Sequence, residues 1–285
     1  QGKRFKEAAL NLGMAVRQDG VPQGGMGGAL GDYDGDGLID LWVTNYVEDY
    51  STLFRGKQGG FFDDVTNKVG LRKDTWTMVG WGCGLVDFDS DGDVELFEIN
   101  GHVYPQVDLL DLGTSYAQPN QLWEFQNGRY VVPPGAGGPA FGLPRAGRSS
   151  ALGDIDDDGD VDLLVGNLDA PPTLLRNDSK NGSWLKVLVL GSGKNRDAIG
   201  ARLVLTVGAK RHLRLIGTGG GFLGSNEPRE HFGLGTATQA ESLEVTWPDG
   251  RRESVGPLAA GRTYTLRDGG PDAKAKLVET SLRAR

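Results

Sequence analysis

Apolar residues in this chain come in short bursts of three to seven, not in long runs with a helical period. Segments 41–44, 51–55, 84–88, 95–99, 122–125 and 129–132 are rich in Leu, Val, Phe, Trp and Tyr and are bounded by Gly, Asp or Asn. Such bursts predict short β-strands. Asn127-Gly128 between two of them is a two-residue hairpin signal. Beyond residue 183 the bursts alternate partially, over 184–190, 201–207, 212–216, 242–247 and 262–266. Gly208, Pro248-Asp249-Gly250 and Gly261 separate them, so 183–268 is expected to form a small β-domain.

Between the earlier strands one polar pattern returns three times. It reads Asp32-Tyr33-Asp34-Gly35-Asp36-Gly37-Leu38-Ile39-Asp40, Asp87-Phe88-Asp89-Ser90-Asp91-Gly92-Asp93-Val94-Glu95 and Asp154-Ile155-Asp156-Asp157-Asp158-Gly159-Asp160-Val161-Asp162. Leu30, Leu85 and Leu152 stand two residues before each first acid. Leu41, Leu96 and Leu163 directly follow each last one, and Asn45, Asn100 and Asn167 lie thirteen residues after each first acid. Matched flanks mark an internal repeat.

The chemistry of that pattern is calcium chemistry. A hard cation collects 6–8 oxygens. Acids at positions 1, 3 and 5 of a tight turn converge on one point, glycine at position 6 permits the bend, position 7 offers its carbonyl, and the acid at position 9 closes the shell. The expected ligands are therefore Asp32, Asp34, Asp36, Leu38 and Asp40; Asp87, Asp89, Asp91, Asp93 and Glu95; and Asp154, Asp156, Asp158, Asp160 and Asp162, holding about three Ca²⁺. Glu98 makes the second copy fit an EF-hand, but the other copies carry Val43 and Val165 there. An EF-hand also needs flanking helices, and the flanks here read as strands.

The repeats divide 24–182 into three units of about four strands each, as in radially repeated sheets. The second unit carries an insertion near 101–119, expected to be a surface or binding loop. Segment 1–23 resembles 61–71 and is expected to be the tail of an upstream repeat; 269–285 is expected to be a loose polar tail or docking arm. Three units are too few for an ordinary closed ring, so strand edges near 1–23 and 173–190 are expected to recruit an upstream segment or a partner chain.

The 285 residues carry a formal charge of −8. Most of that acidity is in the loops, and three Ca²⁺ would bring it to about −2. Nucleic acid, which needs a concentrated basic face, is not an expected partner. No run approaches the length of a membrane span. The single cysteine, Cys83, excludes an intrachain disulfide and is expected to be a buried thiol.

These residues also carry a family resemblance. The loops resemble FG-GAP/VCBS repeats, as in integrin α-chain propellers. The run from Gly80 to Asp89, Asn100-Gly101-His102-Val103-Tyr104-Pro105, and the run from Asn167 to Asn177 are similar to the bacterial proteins related to cartilage acidic protein. Asn195-Arg196-Asp197-Ala198-Ile199-Gly200, the Gly219–Ser225 run, His231-Phe232-Gly233-Leu234-Gly235 and Val245-Thr246-Trp247-Pro248-Asp249-Gly250 resemble the ASPIC/UnbV domain. The resemblance implies an all-β chain: a partial β-propeller with calcium loops followed by a small β-domain. It also implies an extracytoplasmic setting. The expected function is non-enzymatic interaction or assembly. A lectin-like glycan module and an accessory subunit of a larger complex are the alternatives.

Other constellations carry less. Gly219, Gly221 and Gly224 fit a dinucleotide fingerprint, but no helix can open there before Pro228, so close backbone packing is expected instead. His102, His212 and His231 lack metal-ligand spacing. His231 is expected to be structural, whereas His102 and Tyr104 stand on the insertion, where a ligand surface is conceivable.

Overall fold

The computed structural model describes residues 4–179, 182–271 and 273–280, and it is almost entirely β. The first sheet holds β1 (Gly28–Gly31), β2 (Asp40–Val43), β3 (Thr52–Gly56) and β4 (Phe62–Asp64) in sequence order. The second holds β5 (Gly80–Val86), β6 (Glu95–Asn100), β7 (Gln121–Gln126) and β8 (Arg129–Val131). The third has only β9 (Gly147–Gly153), β10 (Asp162–Asn167) and β11 (Thr173–Leu175). All three are antiparallel meanders, as in propeller blades.

The repeat flanks explain the register. Leu30 pairs with Leu41, Leu85 with Leu96 and Leu152 with Leu163, so each acidic loop closes on a leucine rung. The three asparagines clip the next turn: their side-chain amides donate to the carbonyls of Tyr50, Pro119 and Pro171 at 2.8–3.0 Å. At the Asn127-Gly128 hairpin both residues have positive φ (51° and 80°), as a type I′ turn requires.

Sheets stack by their apolar faces. Trp42 and Leu53 of the first meet Leu96 and Trp123 of the second in one buried cluster, with the two indoles edge to face at 6.1 Å. Phe97 and Ile99 of the second meet Leu163 and Val165 of the third. Burying each such side chain contributes about 1.5–3 kcal/mol. Cys83 lies in the first of these clusters, and burial pushes its thiol pKa up.

Among the described residues the third sheet has three strands and not the four expected for its unit. After Leu175 the chain is pinned to the loops: Asn177 N–H donates to Asp162 and its side-chain amide to the Phe88 carbonyl. That leads the backbone away into the C-terminal domain.

This domain is a sandwich. One sheet runs β15 (Arg229–Gly235), β12 (Ser183–Leu190), β20 (Arg262–Arg267), β21 (Lys276–Thr280). The other runs β14 (Lys210–Leu215), β13 (Arg202–Val207), β17 (Ser242–Thr246), β18 (Arg252–Val255), and β16 (Gln239–Ala240) pairs with β19 (Leu258–Ala259) beside them. Leu185, Val187, Phe232 and Leu266 of one sheet pack against Leu203, Leu205, Leu243 and Val245 of the other. The β12·β20 pair is parallel, between strands far apart in the chain, and local pattern does not announce it.

One boundary expectation changes. The tail after 268 is not loose: β21 extends the sheet, Leu277 pairs with Leu266, and Arg251 binds Asp268 through two 2.8 Å contacts just before it. An apolar Leu277 facing the core makes that strand worth forming. Residues 1–3 and 281–285 lie outside the described residues. The N-terminal segment does fold as its counterpart does: helix Ala9–Leu12 ends at Gly13 (φ 85°) and helix Thr66–Val69 at Gly70 (φ 93°). It packs on the first sheet, where Gln18 N–H donates to Asp64 at 2.8 Å.

The strand edges facing the centre of the stack are covered from within. Segment 220–227 lies along β5 and β9. Glu227 N–H donates to the Leu152 carbonyl at 2.8 Å, and Leu152 N–H donates to Asn226 at 3.1 Å. A Cβ on Gly224 would lie 1.8 Å from the Ser150 carbonyl oxygen, and one on Gly221 2.9 Å from that of Cys83. The glycine run therefore serves close backbone approach, with no helix among its described residues.

Candidate metal centres

Each loop is drawn in by its first acid. Asp32, Asp87 and Asp154 accept the backbone N–H of Gly37, Gly92 and Gly159 at 2.8–2.9 Å. These glycines have φ of 81°, 91° and 110°, which a Cβ would strain. The ninth-position acid then ties back: Asp40, Glu95 and Asp162 accept the N–H of Tyr33, Phe88 and Ile155 at 2.7–2.9 Å. The same bonds recur in all three copies, so the sequence frame encodes one turn.

Carboxylate oxygens gather within 4.8 Å of one another in Asp32, Asp34 and Asp36; in Asp87, Asp89 and Glu95; and in Asp154, Asp156 and Asp162. Positions 1 and 3 thus converge in every loop, joined by position 5 in the first and by position 9 in the others. Asp40 stands outside its group, with both oxygens taken by the N–H groups of Tyr33 and Gly56. Asp91 and Asp158 also lie outside theirs, each accepting the N–H of position 7. Leu38, Asp93 and Asp160 occupy that position, and Asp93 turns its carboxylate outward to Lys210 at 2.9 Å.

The residues fit a hard cation. Buried oxygens of Asp34 and Asp87 have no hydrogen-bond partner among the described residues. Burial, then neighbouring carboxylates, raises the pKa of Asp32, Asp34 and Asp89, while burial pushes Asp87 up to about 7 and Glu95 to about 9. Crowded acids held out of water are what a divalent ion relieves.

The sequence did not reveal that the C-terminal domain sits on all three loops. Arg202 donates to the Gly37 carbonyl. Gly182 and Gly235 N–H groups donate to the carbonyls of Asp89 and Ser90 at 2.9 and 2.8 Å, and His231 meets the Ser90 hydroxyl at 3.3 Å. Lys186 contacts Asp154, Arg229 pairs with Asp157 at 3.0 Å, and Trp184 covers Gly159. His231 is structural, as expected, and burial drives its pKa down to about 3. A cavity of about 580 Å³ remains between the domains, walled by Leu30, Leu85 and Leu152 on one side and by Arg214 and Glu230 on the other.

The insertion holds the other candidates. His102 is buried; its Nδ1 accepts the Tyr104 N–H at 3.1 Å and its Nε2 meets the Tyr46 hydroxyl at 3.2 Å. Burial lowers its pKa. Tyr104, Leu109, Leu110 and Leu112 instead project into solvent, Leu109 being 84% exposed.

Fold and loops together define a partial β-propeller of acidic-loop blades joined to a β-sandwich. Within the sandwich, residues 191–273 match the family model described as "ASPIC and UnbV". The chain is also similar to cartilage acidic protein 1, at 30% identity over 261 residues with the Homo sapiens protein and 32% over 254 with the Xenopus tropicalis protein. These matches cover 88% and 85% of this chain but 36% of each relative, so the chain spans about a third of their length. A crystal structure of a Bacteroides uniformis protein overlaps 70% of this chain and 89% of its own at 9% identity, with a TM-score of 0.25.

Proposed function

We propose that this chain is a calcium-stabilised, non-enzymatic interaction module of the extracytoplasmic space. The observation that carries the reading is the position of the loops: three acidic cages, the first and second with a buried, unpartnered oxygen, lie beneath a second domain that contacts each of them. A cation held there by carboxylates and covered by protein stiffens a joint; little of its shell is left for a substrate. Similarity to cartilage acidic protein 1 favours the extracytoplasmic setting.

A protein partner is favoured over glycan by the insertion, where Tyr104, Leu109, Leu110 and Leu112 are large apolar side chains exposed within nine residues of one another in sequence. Polar groups converging on a sugar would be needed for the lectin-like reading. Thermal unfolding with calcium and with excess chelator tests the cation's role. A large reversible drop in Tm on chelation supports a stabilising cation, and an unchanged melt after confirmed calcium removal refutes it. For the partner, co-purifying chains that are lost with Leu109→Ser/Leu112→Ser would support a protein ligand; binding to a glycan array unaffected by that double change would favour the second reading.

A further inference from the structure

The three loops are alike in sequence frame but not in surroundings. The ladder register aligns Leu41 with Phe54, Leu96 with Trp123 and Leu163 with Leu175. The next residue on each third strand is therefore equivalent, and it is Arg55, Glu124 and Arg176.

In the first loop the Arg55 guanidinium reaches into the cage, with Nε 2.7 Å from Asp34 and Nη2 2.8 Å from Asp36. In the third, Arg176 stands 3.8 Å from Asp156, and the buried Lys186 ammonium contacts Asp154. The second loop has Glu124 in the equivalent place, adding a negative charge beside Asp89. Among the described residues no Lys or Arg forms an ion pair with Asp87, Asp89, Asp91 or Glu95. Arg214, the guanidinium on that side, is occupied by the carbonyls of Leu213 and His231 at 2.9 and 3.1 Å. Asp87 is only 2% exposed and keeps one oxygen without a partner.

We propose that the second loop is the tight divalent-cation site, and that the first and third bind more weakly because the protein's own cations occupy their cages. Affinity for Ca²⁺ follows the number of charged ligands and the rigidity of the site. Three carboxylates converge in each loop; the second has Glu124 close by as a further one, the first faces one guanidinium, and the third a guanidinium and an ammonium. A metal entering the first or third loop must displace or face a positive charge bonded to the converging acids, whereas the cations near the second loop, Arg214 and Lys210, bond backbone carbonyls and Asp93 and leave Asp87, Asp89 and Glu95 without an ion pair among the described residues. The second loop is also the most enclosed, with Gly182, Gly233 and Gly235 of the C-terminal domain packed on its backbone.

This ranking rests on the calcium reading, and the test separates the two. Ca²⁺ is titrated into the full chain after chelator treatment and desalting, followed by calorimetry and by Tb³⁺ luminescence. The expected result is one equivalent at least about tenfold tighter than the rest. Asp89→Asn removes that equivalent. Arg55→Glu, which gives the first loop the charge pattern of the second, creates another tight one. Three equivalents of equal affinity, a tight equivalent surviving Asp89→Asn, or no gain from Arg55→Glu would overturn the ranking while leaving calcium binding intact. No binding by any loop would overturn both.

Discussion

The ammonium of Lys186, on the first strand of the sandwich, rests on the carboxylate of Asp154, the leading acid of the third loop, and both side chains are almost wholly buried. The pair joins the third blade to the sandwich. Removing one member of a buried ion pair leaves the other charged and desolvated, a cost of about 3–5 kcal/mol. Lys186→Met should lower stability to urea by about that much in chelator. In saturating calcium the loss should be smaller, because a bound cation restores a partner to Asp154. An equal loss in both conditions would argue against a metal in the third loop.

Calcium should also stabilise the unaltered chain. A ligand that binds only the folded state adds about 2.7 kcal/mol at 100 times its dissociation constant. Differential scanning calorimetry at rising calcium should show Tm increasing with the logarithm of concentration. A flat response would remove the stabilising role.

Glu98 predicts a pH effect. Its carboxylate is fully buried in the blade core, and burial, only partly offset by the Ser51 hydroxyl, pushes its pKa up to about 8. An acid whose folded pKa is raised binds protons more strongly when folded. Its contribution is therefore most favourable at low pH and declines as pH rises from the ordinary carboxylate range, about 4.5, through about 8. Glu98→Gln should raise stability at pH 8 by at least about 1 kcal/mol, since a tenfold change in proton affinity corresponds to roughly 1.4 kcal/mol, and by much less at pH 5. Denaturant midpoints of both chains at fixed calcium at the two pH values check this.

The glycine run offers a paired test. Gly224→Ala places a methyl group against the Ser150 carbonyl, whereas a Cβ on Gly219 meets nothing within 4 Å. The first change should cost about 2 kcal/mol or more and speed proteolysis between the domains; the second should be nearly neutral. Equal effects would mean that the segment does not hold the domains together.

Much of this architecture is readable from particular residues. Leu30 and Leu41, with their repeat equivalents, mark where each hairpin closes, and the acids between them mark the turn. These are contacts between residues close in sequence, in one frame repeated three times. Lys276–Thr280 is not legible in the same way because its pattern is short and mostly polar; its partner β20 is what makes it a strand. The third sheet's missing strand likewise depends on where Asn177 is anchored.

The amino-acid sequence by itself determined the strands, the three acidic turns and the kind of ion they suit, because each depends on the local spacing of side chains and on glycine at positive φ. Only the tertiary structure decided in which loops a cation of the protein's own meets the converging acids, and that one domain covers all three. Those facts depend on contacts such as Arg202 to Gly37, 165 residues apart, and Lys186 to Asp154, 32 apart. No local pattern encodes them, because the side chains meet only after the sheets have stacked and the sandwich has closed over them.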